Sequence, residues 1–509
     1  MQRRRRNLFR LTAFLMGLLC CLAAELLCRT FDSSSTSKLT DGYSDFVSVR
    51  PLFVESADRA ELRIAANRRA FFADDAFPAT KSRDEFRIFV FGGSTVQGRP
   101  FSIQTSFPTF LKRALTVTAP ERKWTVVNCG GISYASYRLL PLLAECRNYS
   151  PDLYIVCCGH NEFLECVTYA DVRSSGDVTS TAFDLLHHSA AARLARNAFL
   201  NFRQRNRSDH AQHGRELQLP EEVDAMLDHH GGLQAYCREA LHIDTVVREF
   251  GSNLNQMVTL CREGSIPLIL MVPPSNLRDT APFKSEFGSQ TTSDQRQQIQ
   301  ALLLEADAAR KSEPDRAVRL LNECVRLDAD FAYSWYQLGQ VLLQNHDDHG
   351  AEAAFVRARD CDVCPLRMVS ALEEKMRSVA ASTSGPLIDL PEEFSTISRH
   401  GIPGDDLLVD HIHPSFRMHQ QISLWLLQRF AGSLLPVTLS SRSPELIQAD
   451  FDRHMQSLDS MYFLRGRRTI QVLKAWTQGR AEEPLLVSDP ESKEMPAVPD
   501  IRKPAEAKP

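Results

Sequence analysis

The sequence has no surplus of charge of either sign: its 509 residues include 59 Lys and Arg against 63 Asp and Glu, a formal net charge of −4. A nucleic-acid binder needs a basic surplus to neutralise phosphates, so this balance argues against a nucleic-acid partner. With 13 residues, cysteine is too sparse for a small disulfide-stabilised scaffold. A hydrophobic fraction of 43% is an ordinary globular value, which excludes wholesale disorder.

Two binding motifs are also missing or incomplete. The chain contains no G-x-x-x-x-G-K-[ST] phosphate-binding loop. Cys361-x-x-Cys364 is compatible with a disulfide, half of a zinc site or an ordinary loop, and no second cysteine pair follows at ligand spacing.

The N-terminus combines a basic block with one apolar run. Arginines at positions 3–6 precede residues 11–27, which are interrupted only by Thr12 and Glu25. A cleaved secretory signal and an uncleaved signal-anchor both fit, and the poor cleavage site at Ala23-Ala24-Glu25 favours the anchor. By the positive-inside rule we expect a single-pass membrane protein, with a cytoplasmic N-terminus and an extracytoplasmic catalytic domain.

From residue 86 onward, short apolar runs alternate with helical patterns. The runs occupy residues 86–91, 124–127, 153–158, 267–272 and 386–390. Strands that alternate with helices predict a mostly parallel sheet covered on both faces. The expected fold class is therefore α/β.

Residues 298–365 show a 34-residue period typical of tetratricopeptide repeats (TPR). The second unit, residues 332–365, is the stronger match, and its pattern is formed by Trp335, Leu338, Gly339, Leu342, Ala351, Phe355 and Ala358. Two repeats are fewer than the three usually needed to stand alone, so we expect them to pack on the main domain. Their concave face is an expected binding surface for a protein partner.

These patterns divide the chain into segments. They are a signal-anchor at 1–31, a stalk and lead-in at 32–85, an α/β domain at 86–297 with a helical insertion at about 166–231, repeats at 298–365, the rest of the α/β domain at 366–430, a helical extension at 431–480 and a disordered tail at 481–509. The tail is rich in Pro, Glu and Lys and has few large apolar residues.

Four short blocks at strand ends or helix starts carry candidate catalytic residues. They are Gly92-Gly93-Ser94-Thr95, residues 128–133, Gly159-His160-Asn161-Glu162 and Asp410-His411-Ile412-His413. Alone, the first is compatible with an ordinary turn, although a serine there would lie at the ligand-binding edge of an α/β sheet. A serine, an amide donor and an Asp-x-x-His pair in this order suit acyl transfer by a nucleophile, a base and oxyanion donors.

Together the blocks resemble those of SGNH/GDSL-type hydrolases. The first has GGS in place of GDS, residues 128–136 resemble the second, Gly159 to Glu162 resembles the third (usually G-x-N-D), and Asp410 to His413 matches D-x-x-H. The resemblance is close over residues 86–163 and looser over 246–279 and 385–430. It implies a flavodoxin-like three-layer fold and an esterase, lipase or acetyl-transfer activity that uses no metal or cofactor.

The resemblance also implies roles for individual residues. Ser94 becomes the nucleophile, His413 the base and Asp410 the acid that orients the base. The Ser94 backbone N–H and the Asn161 side chain become oxyanion donors.

The second-block oxyanion donor stays open. A gapless count from Asn128 places the role of the family's second-block glycine on Ser133, whereas the glycines actually present in this block are Gly130 and Gly131. Because the donor is a backbone N–H, any residue except proline can supply it.

Three further residues, Gly131, His160 and Arg278, are candidate substrate contacts. His160 either lines the pocket or packs beside it. Arg278 follows a strand at the same sheet edge, so it either meets an anionic group or lies on the surface of an ordinary loop. His411 is expected to be a neighbour of the site, because the D-x-x-H pattern selects His413.

Three functions remain open at this point. The first is a membrane-anchored serine esterase acting on an acylated small molecule, or on O-acyl groups of a glycan or lipid. The second is an O-acyltransferase in which a sugar hydroxyl replaces water at the same residues. The third is a TPR scaffold with a non-catalytic hydrolase fold, against which the complete set of Ser94, Asn161, Asp410 and His413 argues.

Overall fold

The computed structural model of the protein describes residues 51–170, 222–229 and 231–477. Its first element is a small antiparallel sheet of β1 (Phe53–Glu55), β2 (Glu61–Ile64) and β3 (Ala76–Pro78), in the order β1-β2-β3. Phe53, Ile64 and Phe77 pack from this sheet into the main hydrophobic core. Part of the predicted stalk is therefore an integral layer of the folded domain.

A five-stranded parallel sheet lies at the centre of the domain. Its strands are β4 (Glu85–Gly92), β5 (Lys123–Gly130), β6 (Leu153–Cys157), β7 (Leu268–Val272) and β8 (Leu387–Asp389), in the order β5-β4-β6-β7-β8. Numbered within the sheet, this is the 2-1-3-4-5 order of flavodoxin-like doubly wound folds. The predicted α/β fold with a parallel sheet is confirmed.

The helices complete the layers. In chain order they are α1 (Ser94–Gln97), α2 (Phe107–Thr118), α3 (Ser136–Cys146), α4 (Glu162–Thr168), α5 (Ile243–Glu263), α6 (Ser293–Ala309), α7 (Pro314–Leu327), α8 (Ala332–Gln344), α9 (Asp348–Asp360), α10 (Ser370–Thr383), α11 (Leu390–Ile397), α12 (Phe416–Phe430), α13 (Ser443–Ser457) and α14 (Ser460–Thr477).

Alternate side chains of β4 point to opposite faces of the sheet and pack into two separate hydrophobic cores. Phe89 and Phe91 point to the face covered by α3, α5 and α10, where Phe250 and Leu372 also lie. Ile88 and Val90 point to the opposite face, which α2, α12 and α13 cover. Because both faces of β4 are buried, the strand is an almost continuous apolar run. The turn that contains Ser94 follows its carboxyl end.

Helices α6 to α9 lie where the 34-residue period predicts two helix pairs. Small residues let the helices approach: a Cβ at Gly339 would lie 2.7 Å from the ring of Phe355. Phe355 also packs with Leu277 and Ile402 of the α/β domain, so the helices lean on that domain as expected. That these helices are tetratricopeptide repeats stays a prediction.

The expected membrane localisation requires correction. Within residues 51–170, 222–229 and 231–477, no helix is long and apolar enough to cross a membrane. The long helix α5, for example, is amphipathic and carries acidic and basic residues near both ends. The finding contradicts the predicted transmembrane protein, and the predicted anchor at residues 11–27 lies outside the described residues. So do most of the predicted insertion and the tail at 481–509.

Candidate active site

Two glycines bring Ser94 to the carboxyl edge of the sheet. A Cβ at Gly92 would lie 2.1 Å from the carbonyl oxygen of Cys157, and one at Gly93 would lie 2.8 Å from Nδ2 of Asn161. Neither position can hold a larger residue without displacing its neighbour. The chain therefore turns directly from β4 into α1, and Ser94 begins that helix.

Ser94, His413 and Asp410 form one hydrogen-bonded chain. The Ser94 Oγ lies 2.8 Å from Nε2 of His413, and Nδ1 of His413 lies 2.6 Å from Oδ2 of Asp410. All three residues are buried. The sequence separates Ser94 from the other two by more than 300 residues, and the parallel topology brings them together at one sheet edge.

Asp410 is held as an anion. Its other oxygen accepts hydrogen bonds from the backbone N–H groups of Ile412 (2.9 Å) and His413 (2.8 Å). Burial alone would raise the pKa of Asp410, but the charge and hydrogen bond of His413, with the N–H of Ile412, hold it well below its usual range. A charged aspartate fixes the imidazole and stabilises the imidazolium that forms when His413 takes a proton.

The second-block loop leaves one backbone N–H available. Gly131 donates to the Gly92 carbonyl (2.9 Å), Ile132 to Phe71 (2.9 Å) and Tyr134 to Gly131 (3.3 Å). In the part of the chain that the structure describes, nothing accepts a hydrogen bond from the Ser133 N–H. Ser133 has φ +62°, a conformation that favours glycine.

Asn161 lies against the nucleophile turn. Its Nδ2 donates to the Tyr134 carbonyl oxygen at 3.1 Å. The same nitrogen lies so close to Gly93 that a Cβ there would be 2.8 Å from it. Asn161 also precedes α4 directly. Its side-chain amide therefore lies beside the turn that carries Ser94, a position suited to an oxyanion donor.

Comparisons with known proteins give only distant likenesses. No family model and no curated protein matches the sequence. The solved acetylxylan esterase Axe2 of Geobacillus stearothermophilus is similar over 72% of this chain and 100% of its own, at 12% identity and a TM-score of 0.31. LAE5, an α/β hydrolase enzyme from the metagenome of Lake Arreo, Spain, is similar over 69% of this chain and 96% of its own, at 12% identity and a TM-score of 0.29. TM-scores this low carry no argument about function.

Two buried glutamates, not assigned by the sequence pattern, hold the second-block loop. Glu162 accepts hydrogen bonds from the N–H and Oγ of Ser136, both at 2.8 Å. Glu165 accepts from the Ala135 N–H at 2.9 Å and from Arg138 Nε at 2.5 Å. The signal in the sequence is a pair of acids on α4 within an otherwise apolar stretch.

His160 and His411 are buried and neutral beside His413. The Met368 N–H donates to Nδ1 of His160 at 3.0 Å, so the proton of His160 belongs on Nε2. Burial lowers the pKa of His160 well below its usual value. Burial likewise lowers the pKa of His411 to about 4, and its ring packs edge-on against Phe283. As expected, His413 and not His411 contacts Ser94.

Arg278 and Gly131 are both buried and are enclosed by neighbouring protein groups. The guanidinium of Arg278 bonds Asp279 (2.9 Å), Asp406 and the Arg399 carbonyl (2.9 Å), which leaves it committed to the loop before Asp410. A Cβ at Gly131 would lie 2.7 Å from the Tyr134 ring, so this glycine permits tight packing. The predicted substrate contacts at both residues stay predictions.

The Cys361-x-x-Cys364 motif holds two free, buried thiols. The Cys361 Sγ lies 3.5 Å from the Ala329 carbonyl oxygen. Among the described residues, no three His, Cys, Asp or Glu side chains are grouped so that they could hold a metal ion.

Proposed function

We propose that the protein is a serine hydrolase of the SGNH type that cleaves an ester bond. The observation that carries the proposal is the unbroken chain from Ser94 Oγ through His413 to Asp410, with contacts of 2.8 and 2.6 Å. A serine hydroxyl is a weak nucleophile at neutral pH and needs a base within hydrogen-bond reach, which His413 supplies. The order of the four sequence blocks supports the SGNH subtype.

The reaction proceeds in two steps. Ser94 Oγ attacks the ester carbonyl carbon while His413 takes its proton, and the tetrahedral intermediate collapses to an acyl-enzyme as His413 returns the proton to the leaving alcohol. Water, activated by His413, then releases the carboxylic acid. The N–H groups of Ser94 and Ser133 and the Asn161 amide stabilise the oxyanion in both steps.

An ester panel tests the proposed function. The full chain is incubated with 4-nitrophenyl acetate, butyrate and octanoate and with an acetylated sugar, each with and without a free sugar as acceptor. The acid, the alcohol and any acylated acceptor are quantified by mass spectrometry. We expect turnover that yields the free acid and that Ser94→Ala abolishes. If acyl groups appear only on an added sugar acceptor and no free acid forms, the protein is a transferase and not a hydrolase.

A further inference from the structure

Arg99 lies just after the short helix α1, which begins with the nucleophile Ser94. The backbone N–H groups of Gly98 and Arg99 both donate to the carbonyl oxygen of Ser94, each at 3.1 Å. Gly98 has φ +96°, which allows the chain to reverse sharply after α1. This turn returns the chain towards the sheet edge at which Ser94 lies.

The loop that carries Arg99 is held against the loop of the catalytic base. The rings of Phe101 and Phe416 pack with centroids 4.2 Å apart, and Phe416 follows His413 by three residues. On the other side, the Tyr462 hydroxyl of α14 bonds the Thr105 hydroxyl (2.7 Å) and the Ser102 carbonyl oxygen (3.3 Å). Arg99 therefore occupies a fixed position between the nucleophile and base segments.

The charge of Arg99 is unusual among the arginines around the site. The guanidinium of Arg68 bonds Glu222 (2.6 Å), that of Arg138 bonds Glu165 (2.5 Å), and that of Arg278 bonds Asp279 and Asp406. Arg367 donates to the carbonyl oxygens of Asn276 and Thr280, both at 2.8 Å. Arg99 is half-buried, and its guanidinium makes no hydrogen bond or ion pair with any described residue.

The electrostatic surroundings of Arg99 point to the catalytic centre. Burial lowers its pKa, whereas the charges of Asp410 and Asp228 act in the opposite direction. Asp410 is already bonded to His413, so it does not serve as the ion-pair partner of Arg99. A partly desolvated cation without a paired anion costs free energy, and part of that cost is recovered when an anion binds.

We propose that Arg99 binds a negatively charged group of the substrate, so that the preferred substrate is an anionic ester. The inference rests on the proposed esterase function and assigns its substrate class. A carboxylate suits the planar guanidinium, which donates two parallel hydrogen bonds to it. The carboxylate belongs either to the acyl part or to the alcohol part of the ester, and both place a charge close to Ser94.

Two pairs of matched esters test the inference. The mono-4-nitrophenyl ester of glutaric acid is compared with 4-nitrophenyl valerate, which has the same chain length and no charge on the acyl part. An acetylated methyl glucuronide is compared with the acetylated methyl glucoside, which differs in charge on the alcohol part. kcat/KM is measured for the wild type and for Arg99→Gln, Arg99→Lys and Arg326→Gln. Arg326 is exposed in the helical repeats and serves as the matched loss of one positive charge.

We expect the wild type to prefer the anionic member of at least one pair by about 10- to 100-fold, the range for a hydrogen bond to a charged group. Arg99→Gln should remove that preference and change the neutral ester by less than about 3-fold. Arg99→Lys should keep part of the preference, and Arg326→Gln should keep all of it. The pair that shows the preference locates the charged group.

Two results would overturn the inference. One is a wild type that shows no preference for either anionic ester, which decides the matter even if Arg99→Gln fails to fold. The other is an equal loss of both members of a pair in Arg99→Gln, because Arg99 would then act on the catalytic residues and not on the substrate. Failure of the esterase proposal is distinct, since it would abolish turnover of the neutral esters in the wild type as well.

Discussion

At the scale of single residues, the sequence predicted that Ser94, His413 and Asp410 lie together. It did not predict the hydrogen bonds that neighbouring residues make around them. Ser94 lies in one short motif, and Asp410 and His413 lie in another. The structure brings the three side chains into hydrogen-bond contact, as these motifs predict. The role of Arg278 depends on Asp406, which lies 128 residues away and reaches it only through the folded loop. No local pattern encodes that contact. The free N–H of Ser133 is likewise visible only once its neighbours' hydrogen bonds are known.

Replacing Asn161 by alanine should lower kcat for a small ester by ~10²–10³-fold, the loss typical of one oxyanion donor. KM should change little, because the donor acts on the transition state more than on the bound ester. Steady-state kinetics with 4-nitrophenyl acetate measures both constants. A large rise in KM with kcat intact would show that Asn161 binds the substrate and does not stabilise the oxyanion.

Ser133→Gly should leave kcat within about 3-fold of the wild type, because the backbone N–H and not the hydroxyl is the expected donor. Glycine also relieves the left-handed conformation at φ +62°, so the free energy of unfolding should not decrease by more than a few tenths of a kcal/mol. Kinetics and urea denaturation measure the two effects. A loss of kcat beyond about 10-fold would assign a role to the hydroxyl.

At the scale of elements, the short apolar runs predicted the central strands well, because strands buried on both faces are largely apolar. The strands β1 to β3 have only three or four residues, and β1 exposes two of its three. Such short segments carry too little periodicity to predict, and their order comes from packing of Phe53 and Phe77 on the larger sheet. The start of α3 is similarly set from a distance, by Glu162 on α4.

Glu162→Ala should lower the free energy of unfolding by about 1–3 kcal/mol, because it leaves the buried N–H of Ser136 without its carboxylate acceptor. Glu121→Ala, at an exposed position, is the control and should change stability by less than about 0.5 kcal/mol. Urea denaturation followed by circular dichroism compares them. Equal effects of the two substitutions would mean that Glu162 does not hold the start of α3.

At the scale of the whole molecule, the two cores on either face of the sheet keep several histidines neutral. His419 on α12 is buried, and its Nδ1 accepts a hydrogen bond from the Phe107 N–H at 3.2 Å. Burial, with the charge of His413, lowers the pKa of His419 to about 3. The unfolded chain binds a proton at this histidine below about pH 6.5, whereas the folded protein does not until far lower pH. Stability is therefore lost as the pH falls from about 6.5.

His419→Asn should reduce this acid-side loss by about 1.4 kcal/mol for each pH unit between about pH 6 and pH 4, the contribution of one proton. The asparagine carbonyl oxygen can accept the Phe107 N–H in place of Nδ1. The free energy of unfolding is measured by urea denaturation across this range for both proteins. Identical slopes would show that His419 is protonated equally in the folded and unfolded states.

The central claim is that Ser94, activated by His413, is the nucleophile, and covalent labelling tests it most directly. The full chain is treated with a neutral alkyl fluorophosphonate, and the intact mass and the modified peptide are determined by mass spectrometry. We expect one adduct on Ser94, none on folded Ser94→Ala or His413→Ala, and slower labelling of Asp410→Ala. An adduct that persists on folded Ser94→Ala protein would contradict the account, because the nucleophile would then lie elsewhere.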